Sequence, residues 1–218
     1  MLKSIYKKLL ENFGRQGWWP VINAKTGRIE YQNNNPKTEQ KKFEIILGAI
    51  LTQNTSWKNV EKAIYSLKNK NLLDKNKLNK IAEEKLASLI KSSGYYNQKA
   101  RKIKEFLAYD GEIERENLLK IWGLGPETVD SMLLYAYNKP IFVIDAYTKR
   151  IFSRLMPQET AKLKTYDEWQ QFFESKLPKN VKIFNEYHAL IVKLAKENCR
   201  TKPECDSCPI KLNCKFNL

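Results

Sequence analysis

The sequence predicts an all-α protein, and three observations carry the prediction. Apolar residues recur at three- and four-residue spacing through most of the 218 residues. Strand signals are few: the one β-branched and aromatic run, "PIFVI" at 140–144, is short and lies between helical segments. No internal repeat is evident.

The elements follow in order. Leu2, Ile5, Tyr6, Leu9, Leu10 and Phe13 mark a first helix. The stretch "NAKTGRIEYQNNNPKTEQ" (23–40) is polar and turn-rich, and reads as a loop or small hairpin. Phe43, Ile46, Leu47, Ile50 and Leu51 mark a second helix, and further helices are expected near 57–68, 77–91, 97–109, 115–121, 126–137, 146–155, 167–176 and 183–198. Between two of these stands "IWGLGPETVD" (121–130). Leu118, Leu119 and Ile121 close one helix. Gly123 and Gly125 permit positive φ and close backbone approach. Pro126 suits the first position of the next helix, where its missing N–H would be unpaired in any residue. The result is a helix-hairpin-helix. A glycine turn at a helix N-terminus binds anions, although a plain αα-hairpin uses glycine for steric reasons alone.

Composition narrows the partner. A chain of this length buries roughly 70% of its unfolded surface and needs no disulfide framework. Its apolar fraction of 42% is that of a soluble globular protein. Lys and Arg number 39 against 24 Asp and Glu, a net charge of +15 that exceeds what solubility requires. Such an excess points to a polyanion, nucleic acid first. A lysine-rich solvated surface is the bland alternative. The start, "MLKSIYKKLLENF", has no secretory h-region, and no run approaches the roughly 18 apolar residues of a membrane span. The expectation is a cytoplasmic, nucleoid-associated monomer with no membrane partner.

Two further features carry chemistry. Asp145 stands where the apolar run ends and a helix begins. Aspartate is a preferred N-cap, worth about 1 kcal/mol. A carboxylate fixed in that way also stabilises a cationic transition state and orients or deprotonates water. All four cysteines, Cys199, Cys205, Cys208 and Cys214, fall near the C-terminus with spacing C-x5-C-x2-C-x5-C. In a reducing compartment they read as a metal site rather than disulfides. Four thiolates suit Zn²⁺ or an iron–sulfur cluster, and spacing does not choose. His188, the only histidine, lies within a helix and is assigned no role.

Hairpin, aspartate and terminal cysteines in this order resemble the endonuclease III superfamily of helix-hairpin-helix DNA glycosylases, over roughly residues 40–214. "LTQNTS" (51–56) is similar to the family's "LSAQATD" loop, and "SGYYNQKA" (93–100) to its "GLYNSKA" loop. The resemblance implies a two-domain helical fold with a DNA-binding cleft between the domains. One domain is a central bundle of residues 40–140 with the hairpin. The other joins 1–22 to 141–218 and carries the cysteine loop (199–214). The cysteines resemble the family's [4Fe-4S] loop, whose usual first gap is six residues where this chain has five. Zinc becomes the lesser expectation.

By the same resemblance, Gly123 and Gly125 hold a phosphate of double-stranded DNA and Asp145 is the catalytic carboxylate. Gln53 fills the gap left by a flipped damaged nucleotide, and Tyr95 wedges beside the estranged base. Both also fit as ordinary loop residues. Glu127 occupies the position where bifunctional members carry a lysine that forms a Schiff base. A carboxylate cannot form an imine, so a glycosylase without AP lyase activity is expected. Lys120 and Lys149 are nearby in sequence and read more simply as phosphate contacts or solvated side chains. "GWWP" (17–20) with Glu127 is closest to the 3-methyladenine glycosylase branch, where paired tryptophans and a phenylalanine line the base pocket. Trp18, Trp19 and Phe43 match these, though packing accounts for such tryptophans equally well. Methylpurine members can lack the cysteine loop that this chain has. Uracil or another deaminated or oxidised base, and a non-catalytic DNA-structure-binding protein, stand as alternative readings.

Overall fold

The computed structural model describes residues 1–23, 25–31 and 38–216. Its chain order is α1 (Leu2–Phe13), a two-stranded hairpin of β1 (Val21–Ile22) and β2 (Ile29–Glu30), α2 (Glu39–Leu51), α3 (Trp57–Asn69), α4 (Lys75–Lys80), α5 (Glu83–Leu89), α6 (Tyr96–Ala108), α7 (Arg115–Leu118), α8 (Pro126–Ser131), α9 (Ala146–Leu155), α10 (Pro157–Thr160), α11 (Tyr166–Glu174) and α12 (Val181–Glu197). The expectation of an all-α protein holds. Among the described residues no helix is long and apolar enough to cross a membrane. The chain forms two compact units, an outer one of Met1–Trp18 with Lys139–Leu218 and a central one of Trp19–Asn138.

The central unit is built around α2. Thr38 caps it by accepting from the Lys41 amide at 3.3 Å. Every residue from Phe43 to Leu51 is buried, so α2 is a core helix rather than an amphipathic one. Trp19 lies flat on Gly48, where an added Cβ would meet its indole Nε1 at 2.8 Å. The ring also packs edge-on against Trp57 at 5.5 Å and at a tilt against Tyr135 at 5.2 Å. Two buried charges do structural work here. Glu44 accepts the Ile22 amide at 2.7 Å and so ties β1 to α2, and burial pushes its carboxyl up to about 7. Lys99, 1% exposed, donates to the carbonyls of Leu51 at 2.8 Å and Ser93 at 2.6 Å. It thereby ties the end of α2 to the turn before α6, and burial lowers its ammonium to about 8.

Several sequence expectations need correction. The single helix near 77–91 is two, because Ile81 and Ala82 adopt extended backbone. Lys104 draws its ammonium to the Leu78, Asn79 and Ile81 carbonyls and satisfies the end of α4. The helix expected at 115–121 ends at Leu118. The one expected at 126–137 changes into a π turn over Met132–Ala136. A small hairpin does form, but its first strand precedes the 23–40 stretch, Val21 pairing with Glu30 and Ile22 with Ile29; Ala24 and residues 32–37 lie outside the described residues.

The outer unit has an aromatic core. Phe142 stacks on Phe173 at 4.4 Å, and Phe152, Phe184 and Tyr187 close round them edge-on. The run 140–144 joins no sheet. Its polar backbone is satisfied by side chains instead: the Phe142 amide donates to Glu174 at 2.8 Å, the Ile144 amide donates to Tyr166 at 3.1 Å, and the Phe142 carbonyl accepts from Gln170 at 2.8 Å. α1 buries Leu2, Ile5 and Leu9 and is fastened to α12 where the Tyr187 hydroxyl donates to the Leu2 carbonyl at 3.0 Å.

Candidate functional site

In the central unit, α7 and α8 are clamped by Arg115, whose Nε lies 2.8 Å from Oδ1 of the fully buried Asp130. The turn between them requires positive φ at one residue only: Gly123 has φ +80, whereas Gly125 has φ −87, which any residue adopts. Of the two glycines that permit positive φ, only Gly123 uses it. Gly125 differs in another way. A Cβ there would meet nothing, so the space over its Cα is open to a ligand. Pro126 opens α8, and Glu127 stands exposed on its first turn.

The loop after α2 reaches this hairpin. Gln53 Nε2 donates to Thr128 Oγ1 at 2.8 Å and lies 3.4 Å from the Gly123 carbonyl. Lys102 Nζ donates to Gln53 Oε1 at 2.5 Å. Gln53 and Gly123, chosen separately from the sequence, are thus in one network. Lys102 and Thr128 were missed. Tyr95, at the start of α6, is 67% exposed and held at φ +46, a conformation that costs a non-glycine residue about 1–2 kcal/mol. Strain in an exposed aromatic on a loop fits a contact role. Trp122, beside Gly123, is 44% exposed and lies under the Arg101 guanidinium at 4.1 Å.

The tryptophan pair divides. Trp19 and Phe43 are core residues of the central unit, while Trp18 is half-buried. Only Trp18 keeps a substantial exposed surface of its own.

In the outer unit, Asp145 is buried at the N-cap of α9. Its Oδ1 accepts from the Thr148 amide at 2.6 Å and from the Thr148 hydroxyl at 2.8 Å. Its Oδ2 faces His188 Nε2 of α12 at 3.6 Å. Burial pushes the carboxyl up, but the histidine and the two Thr148 bonds outweigh it and hold it below its ordinary value. Asp145 is therefore an anion at neutral pH, with one oxygen committed to the helix. His188 is the residue that sequence reasoning set aside. Only contact between α9 and α12 reveals it.

The far turn of α9 serves the cysteines. Arg150 donates to the Cys199 carbonyl at 3.0 Å. Arg154 donates to the Cys199 sulfur at 3.3 Å and to the Arg200 and Thr201 carbonyls at 2.7 and 3.0 Å. All four cysteines line one open pocket, with Ile151, Leu155, Leu194 and Ile210 as apolar walls. Burial pushes the Cys208 thiol up; a bond to the Ile210 backbone opposes this, and the other three cysteines add to the rise. Among the described residues no three His, Cys, Asp or Glu side chains converge on a single-ion position; the thiols ring a pocket instead. Four soft donors around an apolar pocket, with arginine on one sulfur, fit a multi-atom thiolate-bound group.

Residues 47–179 match the family described as HhH-GPD superfamily base excision DNA repair protein. The chain belongs to that superfamily, and it is a DNA glycosylase of the base excision type. A protein of Methanocaldococcus jannaschii described as "Putative DNA repair glycosylase" is 44% identical, over 98% of this chain and 96% of its own. The H. pylori 3-methyladenine DNA glycosylase solved with 1,N6-ethenoadenine is 28% identical, with a TM-score of 0.68 over 90% of this chain and 94% of that one. A trapped endonuclease III–DNA covalent intermediate aligns at TM-score 0.76 over 99% of this chain and 96% of that one, and its 18% identity speaks to fold alone.

Proposed function

We propose that this glycosylase is monofunctional. It hydrolyses the N-glycosidic bond of an N-alkylated purine, 3-methyladenine being the type case, and leaves an abasic site in an intact strand. The observation that carries the reading is Glu127, exposed on the first turn of α8. It stands where strand-cutting members carry their lysine, and it has no amine with which to form an imine. The 28% identity to a 3-methyladenine glycosylase supports the base class.

The chemistry follows from the groups present. The bond breaks through an oxocarbenium-like state. The Asp145 anion, fixed at one oxygen by Thr148, offers the other to that cation and to the attacking water. Alkylated purines are cationic and depart without strong acid assistance. Trp18 supplies aromatic surface for such a base, backed by the buried Trp19 and Phe43, with cation–π attraction of about 2 kcal/mol when desolvated, and Glu127 adds negative charge. Gly123 and Gly125 grip a phosphate through backbone. Gln53 and Tyr95 support the flipped state. Cys199, Cys205, Cys208 and Cys214 hold a [4Fe-4S] cluster, which when bound cross-links the C-terminal loop. Absorption near ~400 nm in the purified protein is the expected signature of iron–sulfur ligation, and a colourless zinc protein would refute it.

The test is excision from duplexes carrying 3-methyladenine-like, 7-methylguanine, uracil, hypoxanthine or 8-oxoguanine lesions, followed by borohydride treatment. Release of alkylpurines with no trapped adduct is expected. A covalent enzyme–DNA adduct would sink the monofunctional mechanism. Preference for uracil or 8-oxoguanine would move the substrate to the deaminated or oxidised class.

A further inference from the structure

Two consecutive residues of α6 hold two consecutive residues of the hairpin turn. Arg101 stacks its guanidinium on Trp122 at 4.1 Å. The stem of Lys102 lies against Gly123, so a Cβ there would meet its Cγ and Cε at 2.6 Å. The Lys102 ammonium then passes beyond the turn to Gln53 Oε1 at 2.5 Å. An ammonium can only donate, so this contact fixes which end of the carboxamide is oxygen. The amide nitrogen is thereby turned to Thr128 Oγ1 at 2.8 Å. Both ends of the Gln53 side chain are engaged, by residues 49 and 75 positions away in sequence.

A glutamine on a solvated loop samples several rotamers, and ordering such a side chain costs conformational entropy. Here that cost is met before any DNA arrives. We propose that Lys102 is a positioning residue for damage recognition: it locks Gln53 onto the phosphate-gripping turn, so that grip and gap-filling side chain meet duplex DNA as one preorganised unit. This rests on the reading of Gln53 as the residue that supports the flipped nucleotide. Burial lowers the Lys102 ammonium, in keeping with a lysine drawn in to a protein partner rather than left in solvent.

The test separates this role from a phosphate contact. Affinity is measured for a duplex with a tetrahydrofuran abasic analogue and for the undamaged duplex, over a range of salt. Lys102→Met should cut the preference for the abasic duplex about tenfold, leave undamaged-duplex affinity nearly unchanged and leave the salt slope unaltered. Lys102→Arg, which keeps a donor, should restore part of the preference. Gln53→Leu should lose the same preference, and Gln53→Leu with Lys102→Met should lose no more than Gln53→Leu alone. Equal weakening on both duplexes with a salt slope reduced by about one marks Lys102 as a phosphate ligand and overturns the proposal. Additive losses in the double variant overturn it too. Binding is read without excision, so an inactive wild type would refute the glycosylase mechanism alone, whereas a wild type with no abasic preference would refute this inference.

Discussion

Asp145 and Gln53 are fixed by different means. Asp145 is held by its own helix, through Thr148 three residues on, and by one histidine from the helix packed alongside. The unit around it is built on aromatic packing, with Phe142 stacked on Phe173. Gln53 is held by Lys102 and Thr128, far away in sequence, in a unit whose loops are tied by buried charge: Lys99 to two carbonyls, Glu44 to an amide and Arg115 to Asp130. A local cap is cheap and rigid. A buried charge tolerates no removal of one partner. The two regions should therefore fail differently, chemistry being lost first in one and folding in the other.

The largest expected effect is on chemistry. Asp145→Asn keeps an oxygen for the Thr148 amide, so the cap survives, but the anion is gone. Excision should fall about 10³-fold or more, with abasic-duplex affinity within a factor of a few of wild type. Full excision would remove Asp145 from the mechanism. A large drop in melting temperature would show that the anion holds the fold together as well as serving the chemistry.

The counterpart in the central unit is Lys99→Met. It preserves the stem and strands the Leu51 and Ser93 carbonyls. Each buried unsatisfied group costs about 1–3 kcal/mol, so a loss of roughly 2–4 kcal/mol in urea unfolding is expected. A cost below about 0.5 kcal/mol, the scatter of ordinary surface substitutions, would break the contrast with the outer unit.

These cases mark how far the sequence can be read. Helices with one apolar stripe, α1, α3, α9 and α12, were legible because their period follows from burial of one face. The hairpin, the cap and the cysteine loop were legible because glycine, proline, aspartate and cysteine carry local chemistry. Lys99, Lys102 and His188 were not. A lysine in a chain of 39 Lys and Arg reads as solvent-facing, and only packing reveals that its ammonium has found a carbonyl or an amide. The split of 77–91 was equally hidden. It depends on extended backbone at Ile81 and Ala82, residues that both fit a helical pattern.

His188 gives a smaller test within the outer unit. His188→Ala removes the contact that helps hold the Asp145 carboxyl below its ordinary value. The carboxyl should rise, so the acid limb of the excision profile should move to higher pH. Loss of this contact beside the carboxylate should cost about tenfold in rate, or about 1.4 kcal/mol. An unshifted acid limb with reduced rate would mean that His188 serves packing alone.

Glu44 sharpens the contrast with the smallest effect and the opposite sign. Its carboxyl is raised by burial to about 7 from an ordinary value near 4.5. The folded state therefore binds this proton more tightly than the unfolded chain. Above pH 7 the folded protein bears the full cost of a buried anion; the cost shrinks as pH falls from 7 towards 4.5, where both states are protonated. Glu44→Gln keeps an acceptor for the Ile22 amide without the charge. It should stabilise the protein at pH 8 by about 1 kcal/mol, an allowance for water and for Lys41 and Lys68 nearby. At pH 4.5 the gain should vanish. Asp145, lowered rather than raised, has the reverse dependence: its stabilising contribution is present above its unfolded value and is lost as pH falls through the folded one. Relative to wild type, Glu44→Gln and Asp145→Asn should thus diverge in opposite directions at neutral and alkaline pH, the first gaining and the second losing stability, and both differences should close as pH falls. If Glu44→Gln destabilised at pH 8, the anion itself would be the tie between β1 and α2, stronger than its burial cost.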